Sequence, residues 1–214
     1  REKASVLPQC YDRSHFVPTE SPPSGPITVR YLGNFYGRRS PQPLIAGLTE
    51  LYRTDPASIE KVRFELIGPG DADQVNAMAA SLPTGCVAVR SSVGYQESLA
   101  LMTSSDGLLI IDAPADISVF LPSKLIDYIG ADKPIFGITP KGTAADLIAE
   151  LGGSVADPAE TQTISAGLSQ FIQELGSRRS GQFNKPWGEA DVRERFTADR
   201  VSSDFLSMLQ NLST

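Results

Sequence analysis

From Ile27 onward, short apolar runs alternate with segments of helical periodicity. The runs at 27–32, 62–67, 87–90, 107–111, 134–138 and 154–156 have the length of strands. The fourth, Gly107-Leu-Leu-Ile-Ile, is apolar at successive positions, as a strand covered on both faces must be. Between the strands, apolar residues recur at helical spacing near 41–52, 73–81, 96–103, 123–129, 143–150 and 160–175. Strands that alternate with helices predict βαβ units on one parallel sheet, a doubly wound α/β domain of Rossmann type. After Gly176 the pattern breaks at Ser-Arg-Arg-Ser-Gly, and an amphipathic helix follows over 190–212. Phe196, Val201, Phe205, Leu209 and Leu212 form its apolar side. The expected division is a linker at 1–26, Pro- and Ser-rich from Pro18 to Pro26, the α/β domain at 27–176, and a tail with a return helix at 177–214.

Sheets of this kind bind ligands beyond the carboxyl ends of their strands. The loops that matter are therefore 33–40, 68–72, 91–95, 112–122 and 139–143. The first, Gly33-Asn-Phe-Tyr-Gly-Arg-Arg-Ser-Pro, joins two glycines and two arginines to a helix start. Glycine lets backbone N–H groups approach a ligand, and guanidinium groups and helix N-termini favour phosphate. An ordinary solvated turn is the alternative. The second, Gly68-Pro-Gly-Asp-Ala-Asp, lacks the third glycine of a dinucleotide fingerprint and follows the wrong strand. Its Asp71 and Asp73 match an Asp-x-Asp metal motif but stand where a helix needs a cap, and capping is the expected role. The fourth runs from Asp112 to a helix start at Pro122-Ser123. Lys124 and Asp127 share a face of that helix near its positive end, either as part of an anion site or as a solvated ion pair.

The 214 residues suffice for one α/β domain with a full core. The net charge of −6 counts against nucleic acid as the main partner but leaves room for a local basic pocket. Two cysteines without paired-ligand spacing, Cys10 and Cys86, fit a reducing cytoplasmic compartment. His15, the single histidine, leaves little scope for a His-based triad or metal site, so no metal and no cofactor are expected. No apolar run approaches the ~20 residues that span a bilayer, and residues 1–25 hold no signal-type apolar segment. The sequence opens on Arg-Glu-Lys and is read as a fragment or a processed chain.

Pro122-Ser-Lys-Leu-Ile-Asp-Tyr-Ile-Gly-Ala-Asp-Lys-Pro-Ile resembles the signature of glycosyltransferase family 4, a helix with an acidic residue followed by a Gly-Lys-Pro-like turn. Tyr31-Leu-Gly-Asn-Phe-Tyr-Gly-Arg-Arg-Ser-Pro resembles the family's first strand and phosphate loop. Val6-Leu-Pro-Gln-Cys-Tyr-Asp-Arg-Ser-His-Phe resembles the segment by which such chains enter their second domain, and Trp187 with the final helix resembles the C-terminal return. The resemblance covers nearly the whole chain in the right order.

It implies one half of a GT-B fold: the C-terminal, nucleotide-sugar-binding domain of a retaining glycosyltransferase in bacterial polysaccharide or cell-envelope synthesis. The implied partners are a nucleotide diphosphate sugar donor and a missing N-terminal acceptor-binding domain. Peripheral membrane association through that missing half is compatible with it, and the fragment alone should transfer little. Arg39 and Lys124 take the catalytic role of stabilising the leaving diphosphate. Gly33, Asn34, Arg38 and Ser123 fall around the diphosphate, and Ser92, Val93 and Tyr95 beside the base. Asp116, Val119 and Phe120 fall toward the sugar, and Asp127 on the ribose hydroxyls. Two positions depart from the family: Asn34 stands where Arg is frequent, and Val119 where the first acidic residue would be. A non-transferring subunit with a decayed site stays open, as do a receiver- or flavodoxin-type binding module and a nucleotide-sugar epimerase. The Gly-Asn end of the first strand and the single histidine count against the last two.

Overall fold

The computed structural model describes residues 6–17, 25–68, 70–182 and 186–212. Six strands form one parallel sheet: β1 (Ile27–Leu32), β2 (Val62–Ile67), β3 (Val87–Arg90), β4 (Gly107–Ile111), β5 (Ile135–Ile138) and β6 (Ser154–Ala156). Their order is β3-β2-β1-β4-β5-β6, so the winding reverses between β1 and β4. The helices are α1 (Gln42–Thr54), α2 (Ala72–Met78), α3 (Tyr95–Thr103), α4 (Ser123–Ala131), α5 (Thr143–Glu150), α6 (Thr161–Arg179), α7 (Ala190–Glu194) and α8 (Ala198–Leu212).

Alternate residues of the central strands feed two cores. Val29, Tyr31, Leu109 and Ile111 meet α1, α2 and α6 on one face. Leu32, Leu108 and Ile110 meet α3, α4, α5 and α7 on the other. This two-sided burial is why the strands read as continuous apolar runs. Arg30 and Glu65 are polar exceptions: Arg30 pairs across to Glu65 at 2.7 Å and caps the end of α3 through Leu101 O at 2.9 Å.

Two local expectations change. The helix expected to end near 175 runs through Gly176 to Arg179. Arg178 pairs with Glu174 one turn back, and Arg179 binds Gly25 O and Asp106 beneath the sheet. The C-terminal helix is two helices, because Phe196 and Thr197 leave helical geometry to pair with Tyr11: Tyr11 N donates to Phe196 O and Ala198 N to Tyr11 O, both at 2.9 Å. Thr197 Oγ1 then caps α8 by accepting from Arg200 N. The apolar side of α8 is largely uncovered at Phe205, Leu206 and Leu209; the Leu212 side chain lies outside the described residues.

The segment at 6–17 is packed onto the domain, with Tyr11 buried and Phe16 seated on α4 at Gly130. Most of the Pro/Ser-rich stretch, residues 18–24, lies outside the described residues. Asp71 caps α2 by accepting from Gln74 N at 3.0 Å, the role expected of it. No helix among the described residues is long and apolar enough to cross a membrane.

Candidate functional site

The sheet's winding reverses between β1 and β4, so the loops after these two strands part at their carboxyl ends and open a crevice. The start of α4 points into this crevice. Pro122 precedes α4 with extended backbone, and its first residues, Ser123 and Lys124, follow directly. Lys124 does not pair with Asp127. Its Nζ turns back over the Tyr31 ring, 3.9 Å from the centroid. It also lies so close to Gly33 that a Cβ added there would come within 2.4 Å of it. Gly33 has φ +132°, a conformation that side chains rarely adopt. The first-strand loop and the helix start therefore converge on one ammonium group. Burial pulls that group down to about 7, Arg39 acts in the same direction, and Asp112 opposes them.

Arg39 is the second cation. It is 8% exposed and bonds Asp112 Oδ1 at 2.7 Å. Tyr36 and Phe120 flank its guanidinium at 4.8 and 5.3 Å. Asp112 is itself buried, the first residue beyond β4, and was not picked out from the sequence as a site residue. The loop that carries Phe120 is pinned from the other side: Ser118 N donates to Lys141 O, and Thr143 N to Ser118 O. At Gly142 any Cβ would lie 2.0 Å from Ser118 O, so only glycine fits under this loop.

Gly33, Asn34, Ser92 and Val93 line one cleft of ≈280 Å³ between the ends of β1, β2 and β3, together with Gly68 and Met102. Beyond it stand Tyr95, half-exposed at 54%, and Asp127. His15, placed by sequence in the linker, packs edge-on against Tyr95 at 6.3 Å. Burial raises the Asp127 carboxyl above its usual range, and His15 draws it back. Burial likewise raises the Tyr95 phenol, with Asp127 and Asp12 adding to the effect.

Arg38 and Asp116 are not with these residues. They line a separate recess of ≈650 Å³ beside Lys141 and Asp157. Val119 is 88% exposed, and Ser123 is exposed at the helix start. Three residues that sequence reading did not assign lie against the candidate residues: Asp112 on Arg39, Tyr31 under Lys124 and His15 on Tyr95. Asp112 opens the fourth loop and was within reach of the reading. The approach of residues 6–17 to Asp127 has no sequence signal, because it depends on Tyr11 pairing with Phe196 and Ala198.

No protein-family model and no curated protein matches the chain. Solved structures do. HepE of Anabaena, in complex with UDP-glucose, superposes with a TM-score of 0.68 at 16% identity, over 97% of this chain and 57% of that one. Sucrose-phosphate synthase of Thermosynechococcus elongatus gives 0.68 at 14% identity, over 97% and 52%. The lipopolysaccharide outer core galactosyltransferase WaaB, in its apo form, gives 0.63 at 18% identity, over 97% and 55%. The chain spans a little over half the length of these structures. At such identities the likeness establishes the fold: the chain folds as part of a GT-B glycosyltransferase structure does.

Proposed function

We propose that this chain is the donor-binding domain of a glycosyltransferase, and that it takes a nucleotide diphosphate sugar at the carboxyl edge of its sheet. One observation carries the reading. Lys124, from the first turn of α4, lies against Gly33 and over Tyr31, so an ammonium, a glycine loop and a helix N-terminus meet at one point. That combination suits a diphosphate.

Around this point the remaining assignments follow the cleft. The base lies along Ser92, Val93 and Tyr95, and the ribose hydroxyls bond Asp127. The sugar extends toward Phe120 and Val119. Asn34 and Ser123 flank the phosphates, and Arg39 acts from behind Phe120. Lys124 and the α4 N–H groups stabilise the leaving diphosphate as its charge develops, which is electrostatic catalysis by fixed groups. Transfer itself, with retention, needs a second, acceptor-binding half. The setting that suits the reading is cytoplasmic synthesis of a bacterial polysaccharide or envelope glycan, with any peripheral membrane contact made through that other half. That HepE was crystallised with UDP-glucose supports a nucleotide sugar as the ligand class.

The test is a melting and calorimetry screen of UDP, ADP, GDP and TDP, with and without a sugar. A ligand at ~100 times its Kd raises stability by about 2.7 kcal/mol. If none of them shifts melting or gives heat, the donor-binding reading falls, and a domain with a decayed site takes its place. EDTA sensitivity that is lost on changing Asp71 and Asp73 would restore the metal role in place of capping.

A further inference from the structure

The Arg39–Asp112 ion pair only half satisfies either side chain. Arg39 Nη2 donates to Asp112 Oδ1 at 2.7 Å, and the same oxygen accepts the Ala113 N–H at 2.8 Å. Arg39 Nε and Asp112 Oδ2 are both buried and have no hydrogen-bond partner. The two side chains expose only 7% and 6% of their surface. A guanidinium facing a carboxylate can make two parallel bonds, and here it makes one. A buried charged atom without a partner is costly, so this arrangement is suited to exchange.

The surroundings favour a different anion. Lys124 lies within electrostatic reach of both members of the pair, so two cations share one carboxylate. The Tyr36 and Phe120 rings lie 4.8 and 5.3 Å from the guanidinium carbon, while its Nε is left without a partner. Asp112 itself is fixed at the end of β4 by the Ala113 N–H, so the arginine is the member that can turn.

We propose that Asp112 is an internal counter-ion that occupies Arg39 when no donor is bound, and that a donor diphosphate displaces it, so that Arg39 changes partner. The inference rests on the donor-binding reading and gives it a selectivity. Only a ligand bringing a diphosphate draws Arg39 away; a nucleoside leaves the pair closed. Asp112 is then a positioning residue that sets the threshold for binding.

Asp112→Asn tests this, because asparagine keeps an oxygen for the Ala113 N–H and removes the charge. The probe is whichever of UDP, ADP, GDP and TDP binds the wild-type 214-residue chain most tightly, with its nucleoside as control. Calorimetry should show the diphosphate Kd falling roughly five- to tenfold in the variant, with the nucleoside unchanged. An equal or higher diphosphate Kd in a folded variant overturns the proposal and makes the pair a plain anchor. A second measurement needs no Asp112 variant. In the wild-type chain the Arg39 Nε resonance, identified by its loss in Arg39→Lys, should shift on saturation with the diphosphate and stay in place with the nucleoside. A resonance unmoved by the diphosphate overturns the proposal. If none of the four diphosphates binds the wild type, the donor-binding reading falls together with it. Binding without these effects removes the inference alone.

Discussion

The Lys124 ammonium stands 3.9 Å from the centroid of the Tyr31 ring, joining the first turn of α4 to the end of β1. Phe35 stacks on the same ring at 4.6 Å, with the two planes 2° apart. Strand end, glycine loop and helix start are thus one packed unit, and the cation is held by an aromatic face. Such a group is oriented before a ligand arrives, and it feels Asp112 only at a distance, without a direct bond to it. Arg39 is in the opposite position, already engaged by Asp112.

Gly33→Ala should disrupt this unit. Its Cβ would sit 2.4 Å from Lys124 Nζ and force the ammonium off Tyr31, and the backbone there strains any side chain at a cost of about 1–3 kcal/mol. Diphosphate affinity should fall by about tenfold or more, the loss of one charge-assisted bond, while nucleoside affinity holds. Gly37→Ala, a left-handed position with open space around it, is the control for strain alone. Equal losses of affinity in the two variants would remove Gly33 from the site.

Lys124 makes binding and folding depend on pH. Its folded value, about 7, lies below the ordinary 10.5, so folding releases a proton between these limits. The unfolded chain binds more protons there, and stability from this group rises with pH across that window. The melting-temperature advantage of Lys124→Met over wild type should therefore be largest near pH 7 and shrink toward pH 10. Diphosphate binding should reverse the release. At pH 8 the wild type should take up close to one proton on binding, measured by calorimetry in two buffers of different ionisation enthalpy. Lys124→Arg should take up none, since arginine stays protonated throughout this range.

Tyr128 holds α4 in place. Its hydroxyl accepts the Leu32 N–H at 2.9 Å in the sheet-facing core. Tyr128→Phe leaves that buried N–H without a partner, at a cost of about 1–3 kcal/mol. For a chain of this size each kcal/mol lowers Tm by about 2–4 °C. A thermal scan that shows no drop would mean that water or a backbone shift satisfies Leu32 instead.

The central strands were legible because they are buried on both sides, and continuous apolar runs such as Leu108 to Ile111 admit few other readings. The start of α4 was legible from Pro122-Ser123 for the same local reason. Side-chain direction was not. Lys124 and Asp127, three apart, read equally well as a surface pair, and only the packing of Tyr31 against α4 shows that Lys124 turns away. The burial of Arg39 depends on Asp112, which is 73 residues away. The presence of His15 beside Tyr95 depends on a C-terminal break at Thr197. Pairings between distant segments leave no periodic trace in the chain.

Asp127 offers the sharpest separation of base-side from phosphate-side recognition. It lies half-buried on α4 beyond the ≈280 Å³ cleft, with Tyr95 and His15 beside it and no cation bonded to it among the described residues. Burial raises its carboxyl, so the group gains if two ribose hydroxyls donate to it. Asp127→Ala should remove charge-assisted bonds of roughly 1.5–3 kcal/mol and weaken nucleoside and nucleoside diphosphate alike, by about an order of magnitude or more. Arg39→Ala should weaken the diphosphate far more than the nucleoside. Because the Asp127 carboxyl is raised, wild-type affinity for the nucleoside should decline as pH falls toward that raised value, and Asp127→Asn should flatten the decline. His15→Ala should move the decline to higher pH, because His15 opposes the upward shift. Calorimetry of the four variants with one nucleoside and its diphosphate between pH 5 and pH 8 decides the matter. Unchanged nucleoside affinity in Asp127→Ala would move the ribose elsewhere along the cleft and leave Asp127 a helix-surface carboxylate.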